Sequence, residues 1–427
     1  MQFYSLNNPE HKVSFKQALI RGLAPDKGLY FPDDIPCLKS DFLERLPKMN
    51  VPQIAFEVLF PFVSDDITEA DFEQLCKEAF DFEFPVIQIE DRVSVLELFH
   101  GPSQAFKDVG ARFMASCMSY FDKEEGSLNI LVATSGDTGG AVAAGFYDQP
   151  GINVHILFPQ GKVSKYQEFQ LTSLGKNIHC YPVQGDFDLC QSIVKEAFVD
   201  EKLMKFVNLS SANSINIGRW LAQILYYFVA YRNMENPEEL TISVPSGNFG
   251  NIAAGILAKK MGLPIKHLIA ATNQNDTIPR FMASGNYDPK PTKPSISNAM
   301  DVSNPSNFIR IENLLDFNKS YFSSLSFSDG DALLAIKKVF KDSGYIMEPH
   351  GATAYIGLKQ TNYKGNGLFL ATAHPYKFRE VMPSELVDKI HLDDQSEWGN
   401  YTAKNKHEIR NYQDFYAHIL NSDFHRK

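Results

Sequence analysis

Asn129-Ile130-Leu131-Val132-Ala133-Thr134-Ser135-Gly136-Asp137-Thr138-Gly139-Gly140-Ala141-Val142-Ala143-Ala144 reads as a strand, a glycine-rich turn and the start of a helix. The unbroken apolar run before Thr134 suits a parallel strand covered on both faces rather than a half-exposed one. The turn supplies hydroxyls and backbone N–H groups at a helix N-terminus, which is a seat for a carboxylate or a phosphate. Ser, Asp and Thr also favour a plain capped turn, so at this level both uses stay open.

Working outward, the same pattern repeats. Apolar runs at 154–158, 178–183, 241–244, 267–271 and 368–371 each end at turn-forming residues. Helical stretches separate most of them. Asp186 can cap a helix with Phe187, Cys190, Ile193, Val194 and Ala197 on one face, and Gly262 and Pro264 close the helix that follows Gly250. Alternation of this kind implies an α/β fold of open, largely parallel sheets, with ligands collected at the carboxyl ends of the strands.

Upstream, Phe99-His100-Gly101-Pro102-Ser103-Gln104-Ala105-Phe106-Lys107-Asp108-Val109-Gly110-Ala111-Arg112-Phe113 follows another apolar run and launches a helix near Asp108. A lysine at a helix start is poorly placed for the macrodipole, so Lys107 needs another reason to be there. Phe106, Val109 and Phe113 crowd it, and desolvation lowers an amine pKa into the range of a nucleophile or base.

Two further loops offer anion seats. Pro245-Ser246-Gly247-Asn248-Phe249-Gly250-Asn251 lies between strand and helix, and its glycines let the backbone approach one phosphate closely; a capped turn is an equally open use of the same residues. It is neither a Walker loop nor a full dinucleotide fingerprint. The stretch 210–220 is dense in Asn and Ser and ends near Arg219, whose planar fork suits a phosphate or carboxylate; a capped turn with an exposed arginine is the plainer alternative.

The remaining chain excludes several classes. With 427 residues, 44% of them hydrophobic, two or three domains can each bury a core. No run approaches a bilayer span and the start lacks a signal-peptide order, so a cytoplasmic protein without membrane partners is expected. The net charge of -10 is spread evenly, with no basic run to track nucleic acid. Five cysteines without a CxxC pair suggest neither a disulfide framework nor a zinc site, and no metal is expected. Residues 1–85 form a small N-terminal α+β unit: Asn50 caps a helix that Pro61 interrupts, and Thr68 to Asp71 has capping-box spacing. Its segment 22–32 is turn-rich and is read as packing. The polar stretch 404–410 is read as a solvated helix face, and Glu348-Pro349-His350 as the architectural start of a helix.

A desolvated amine and three anion seats on one frame fit pyridoxal phosphate plus a charged small substrate. The blocks 100–113, 133–141, 208–219, 244–251, 270–280, 297–303 and 371–378 together resemble the bacterial and fungal threonine synthases, in the same order across nearly the whole chain. This resemblance implies the fold type II class of pyridoxal-phosphate-dependent enzymes. It further implies two open α/β domains with the cofactor between them, residues 86–427 forming the catalytic region and a smaller subdomain at about 114–220 inserted in the larger domain.

Carried onto this sequence, the resemblance makes Lys107 the Schiff-base lysine and the catalytic residue. Gly247, Asn248, Phe249, Gly250 and Asn251 would hold the cofactor phosphate. Asp137 would lie near the phenolic oxygen, where many relatives of the wider class have Asn, and Thr372 opposite the ring nitrogen. Ser135 and Thr138 would receive the substrate carboxylate, and Asn213, Ser214 and Arg219 its phosphate. The implied reaction turns O-phospho-L-homoserine and water into L-threonine and phosphate, in a monomer or homodimer. His100 and His374 lie beside cofactor-lining motifs, where orienting a ligand and serving as a structural hydrogen-bonding partner both stay open. Two rivals are a serine or threonine dehydratase, which has no need of the phosphate grip, and a non-catalytic metabolite-binding relative, which has no need of Lys107.

Overall fold

The computed structural model describes residues 1–121, 128–315, 320–392, 401–422 and 424. In chain order the strands are β1 (Phe3–Ser5), β2 (Asn8–Val13), β3 (Tyr30–Pro32), β4 (Val86–Glu90), β5 (Val93–Glu97), β6 (Leu128–Ala133), β7 (Ile152–Pro159), β8 (Ile178–Val183), β9 (Asn208–Ser211), β10 (Thr241–Pro245), β11 (His267–Thr272), β12 (Phe322–Ser326) and β13 (Gly367–Ala371). They make three sheets: β2-β1-β3, antiparallel; β12-β11-β10-β13-β5-β4, parallel except for the edge pair β4 and β5; and β8-β7-β6-β9, parallel throughout.

Every residue of β6, β10 and β13 is buried, which is why those runs read as continuously apolar. The strands that composition did not announce are β4, β9 and β12, all at sheet edges. β9 and β12 are serine-rich, and β4 and β12 are partly exposed. One open flank removes the pressure for an apolar run, and the pattern fades with it.

The helix starts follow local capping. Asn50 accepts from the backbone N–H of Gln53 and opens the helix Val51–Val63; Asp186 accepts from Leu189 and opens Phe187–Ala197. Pro61 does not interrupt the first of these, contrary to expectation. It lies in the last turn, where the lost hydrogen bond is one and the buried Phe62 and Val63 still hold the helix to the core. Thr68 makes half a capping box: its hydroxyl accepts from the Asp71 N–H and donates to the Asp71 carboxylate at 2.7 Å.

Residues 404–410 are not a helix either. Lys406 and Ile409 pair in parallel with Cys180 and Val183, and backbone bonds from His407 to Cys180 and from Ile409 to Pro182 cover the open flank of β8. An uncovered edge strand is a liability, and the buried Ile409 anchors the cover. The helix Tyr412–Leu420 then packs its Phe415 and Ile419 on the same sheet. Among the described residues no helix is long and apolar enough to cross a membrane.

Under this tail lies a group of four histidines. His155 is fully buried between Tyr181 and Asn129, its ring nitrogens 3.0 Å from each, and it stacks on His179, while His407 and His418 face each other at 4.0 Å between ring centroids. Burial, then repulsion from His407 and His418, pushes the His179 pKa down to about 4, and burial lowers the other three. A histidine depressed in the folded state costs stability once the unfolded chain protonates, so stability is full above the ordinary value near ~6.5 and falls as pH drops toward 4. Thermal unfolding followed from neutral to acid pH should show that fall, and His179→Leu should flatten it in part; an equally steep fall in the variant would exclude His179 as a cause.

Candidate active site

Beyond their sheet, β5 and β13 stay zipped together. Leu98 N–H donates to the Ala371 carbonyl at 3.0 Å, Ala105 bridges Ala373, and Phe106 N–H donates to the Thr372 carbonyl at 2.8 Å. The next residue, Lys107, opens the helix Lys107–Phe121 beside Thr372. Its Nζ lies 4.6 Å from the centre of the Phe106 ring and 3.6 Å from Asp137 Oδ2. Burial lowers the amine pKa; Asp137 opposes this, and the charges of Lys377 and Arg219 add to it.

Asp137 is the first residue of the helix Asp137–Phe146, directly after the β6 turn. Gly136 ahead of it has φ +134°, and a Cβ there would fall 2.4 Å from the Gln167 side chain, so both backbone and space demand glycine. Thr134 is consumed by the turn, its Oγ1 accepting from the N–H groups of Gly136 and Gly139 at 2.9 Å each. Ser135 and Thr138 stay half-buried. Asp137 Oδ1 accepts from Gln167 Nε2 at 3.0 Å and pairs with Lys377 Nζ at 2.9 Å. Burial would raise the carboxyl pKa, but Lys377 and then Lys107 hold it far below the carboxylate range.

Lys377 escaped sequence reasoning although it lies inside a quoted motif. Its ammonium is fully buried and also donates to the Ser103 carbonyl at 2.8 Å. Lysine in a polar stretch reads as solvated, and only the fold of 375–381 turns it inward. Gln167 was equally hidden, because its side chain also serves the capping box of Ser164. Glu348, taken as architecture, caps the helix Pro349–Gln360 and accepts from the Thr372 hydroxyl at 3.2 Å, which places it directly behind that residue.

The other two loops meet across the sheets. Asn213 Nδ2 donates to the carbonyl of Ala133, at the end of β6. Ser214 Oγ accepts from Asn248 Nδ2 at 2.6 Å. The helix Gly250–Lys260 begins after Phe249, which has φ 59°, and no side chain caps its first turn. Phe249 turns its ring toward Phe308, leaving its backbone to the loop. Asn251 is buried; its Oδ1 accepts from Tyr227 at 2.9 Å, while Nδ2 has no partner.

Arg219 is buried against the helix of Lys107: a Cβ on Gly110 would come within 3.0 Å of its Nε. Nη1 donates to the Ala212 carbonyl, and burial pushes the guanidinium pKa down to about 10. Thus the structure brings Lys107 to Asp137 and Ser214 to Asn248, while Asn213 is bonded to the Ala133 carbonyl and Arg219 lies against the helix of Lys107. His100 pairs instead with Glu97 at 2.7 Å, and the His374 side chain caps Tyr376.

The Asp137–Lys377 pair sets a test. Lys377→Met leaves a buried carboxylate short of a partner and should cost about 3 kcal/mol in urea unfolding. Adding Asp137→Asn should restore most of that loss, since the uncompensated charge goes with it; a loss that persists in the double variant would mean packing, not charge, is at stake.

Residues 88–371 match the pyridoxal-phosphate-dependent enzyme family, and residues 2–80 match the threonine synthase N terminus. Threonine synthase from Haemophilus influenzae is 42% identical over 99% of this chain and 100% of its own. The crystal structure of threonine synthase from Escherichia coli superposes with a TM-score of 0.90 at 42% identity, covering 99% of this chain and 100% of that one. Pyridoxal-phosphate-bound threonine synthase from Brucella melitensis gives 0.88 at 32% identity, with 99% of both chains covered. By sequence and by fold, the chain belongs to the threonine synthase family of pyridoxal-phosphate-dependent lyases.

Proposed function

We propose that the chain converts O-phospho-L-homoserine and water to L-threonine and phosphate. The observation that carries this reading is Arg219, a buried guanidinium packed against the helix of Lys107 with no ion-pair partner among the described residues. A site needing only an amino acid has no use for a third cation at that place; a phosphate leaving group does.

The residues present fit pyridoxal phosphate. The uncapped N-terminus of Gly250–Lys260, with the orphaned buried Nδ2 of Asn251 beside it, matches a phosphate, for which Gly247, Asn248, Phe249 and Gly250 supply backbone. Gly247 admits no side chain, because a Cβ would lie 2.5 Å from Met300 Cα. Lys107 Nζ would hold the aldehyde carbon, and Thr372 would face the ring nitrogen. Asp137, neutralised by Lys377, would stand beside the phenolic oxygen as half of a pair rather than as a bare charge. When bound, the cofactor withdraws electrons from the substrate carbon next to the amine.

Around that group the chain's own residues divide the work. Lys107 Nζ, deprotonated with the help of burial, takes the proton from the substrate Cα and later returns one. Ser135 and Thr138, at the start of Asp137–Phe146, seat the carboxylate. Asn213, Ser214 and Arg219 hold the phosphate until it leaves from Cγ and keep it near while water adds at Cβ. The protein works in the cytoplasm as a monomer or homodimer, a reading that its free cysteines support.

The test is phosphate release from O-phosphohomoserine with threonine measured in parallel. Equal amounts of both, lost in Lys107→Ala, are expected; phosphate without threonine would defeat the reading. Arg219→Lys keeps the charge but loses the fork, and should cut kcat/KM by roughly tenfold or more, as loss of a charge-assisted bond predicts.

A further inference from the structure

Ser214 is held between two side-chain amides, and both amides are locked. Asn248 Oδ1 accepts from the backbone N–H of Ser306 at 2.6 Å, so its Nδ2 is the end that meets Ser214 Oγ, also at 2.6 Å. Asn307 is fully buried; its Oδ1 accepts from Arg310 Nη1 at 2.6 Å, and its Nδ2 donates to Ser214 Oγ at 3.4 Å. Neither amide can turn over, because a backbone N–H and a guanidinium only donate. A hydroxyl has two lone pairs and one proton, and here each lone pair receives an N–H. The proton of Ser214 is left for a third partner, and among the described residues this hydroxyl donates to no other group. Arg310 fixes the arrangement from behind. It is fully buried, pairs with no carboxylate among the described residues, and donates to the carbonyls of Ser214 and Ile215 at 3.3 and 2.9 Å. A buried cation without a partner favours an anion nearby, and the half-buried Ser214 is the open side of this cluster.

We propose that Asn307 is a positioning residue: anchored by Arg310, it joins Asn248 in filling the acceptor positions of the Ser214 hydroxyl, which then can only donate, and the site so selects the substrate phosphate as the dianion. This rests on the reading that Ser214 meets the substrate phosphate. A serine with open lone pairs turns its proton either way and serves a P–O⁻ or a P–OH equally. With both lone pairs taken, it serves only an oxygen that accepts. Arg219 is a donor as well, so the P–OH of a monoanion finds no acceptor at either residue. The dianion has no such proton to place, and it brings a second charge to the guanidinium.

The experiment titrates holoenzyme with sulfate and with inorganic phosphate in a calorimeter. Between about pH 8 and about pH 6 phosphate passes from mostly dianion to mostly monoanion, whereas sulfate takes up no proton. Over that range the affinity for phosphate should fall about tenfold relative to that for sulfate, a ratio that cancels any titration of the protein itself. Phosphate that keeps pace with sulfate overturns the proposal. At the upper pH, Ser214→Ala should weaken sulfate binding by about tenfold, as loss of a charge-assisted bond predicts. Asn307→Asp keeps an acceptor for Arg310 but turns a second acceptor toward Ser214, drawing the hydroxyl proton inward. It should weaken sulfate by a similar factor, and most of that loss should vanish when it is added to Ser214→Ala. A loss as large in the double variant as in the single one means charge repulsion alone and sinks the role of Asn307, leaving Ser214 at the phosphate. If Ser214→Ala leaves sulfate affinity unchanged, the placement of the substrate phosphate falls together with the proposal. Should Asn307→Asp not fold, Asn307→Ala gives the same cycle: a loss of about threefold that disappears in Ser214→Ala supports the proposal, and one that persists overturns it.

Discussion

The site depends on one buried carboxylate, Asp137, which pairs with the Lys377 ammonium at 2.9 Å and stands 3.6 Å from the Lys107 amine. Asp137 comes from the end of β6 in the four-stranded sheet, whereas Lys107 and Lys377 follow β5 and β13 of the six-stranded one. At 2.9 Å and an effective dielectric near 20, the attraction between Asp137 and Lys377 is worth about 6 kcal/mol. Removing each ion from water costs several kcal/mol. The same contact binds the two parallel sheets to each other at the place where the chemistry is proposed.

Around that centre, loops at strand ends are held by one another more than by their own strands. Asn213 reaches back to the carbonyl before the β6 turn, and Ser214 reaches across to Asn248. The N-terminal unit braces the same loop from outside. Asn216 Nδ2 donates to the Leu19 carbonyl at 2.8 Å, and Gly22 packs close to Ser211 and Asn216. Arg310 ties the carbonyls of Tyr30, Ser214 and Ile215 and the Asn307 side chain into one knot, stacked 4.4 Å from the centre of the Trp220 ring. Segment 22–32 is thus packing in the literal sense, but what it packs against is the loop that carries Asn213 and Ser214.

Much of this was legible before the fold. The runs at 178–183 and 267–271 fall on β8 and β11, and Lys107 stood out because its position opposed the helix dipole while its neighbours were apolar. The edge strands, the tail over β8 and the helix through Pro61 were not, because each is decided by what covers it. Lys377, Gln167, Arg310 and Glu348 share another reason. Each is a polar residue in a stretch whose local pattern gives it an ordinary surface or capping role, and its burial follows from elements far away in the chain.

The sequence by itself determined the strand and helix alternation, the glycine loops and the lysine, since hydrophobic period, capping and desolvation by adjacent residues act over a few positions. Only the tertiary structure decided which charges face each other. Lys107, Asp137 and Lys377 are far apart along the chain, and a carboxylate's protonation depends on groups within a few ångströms of space, whatever their distance in sequence.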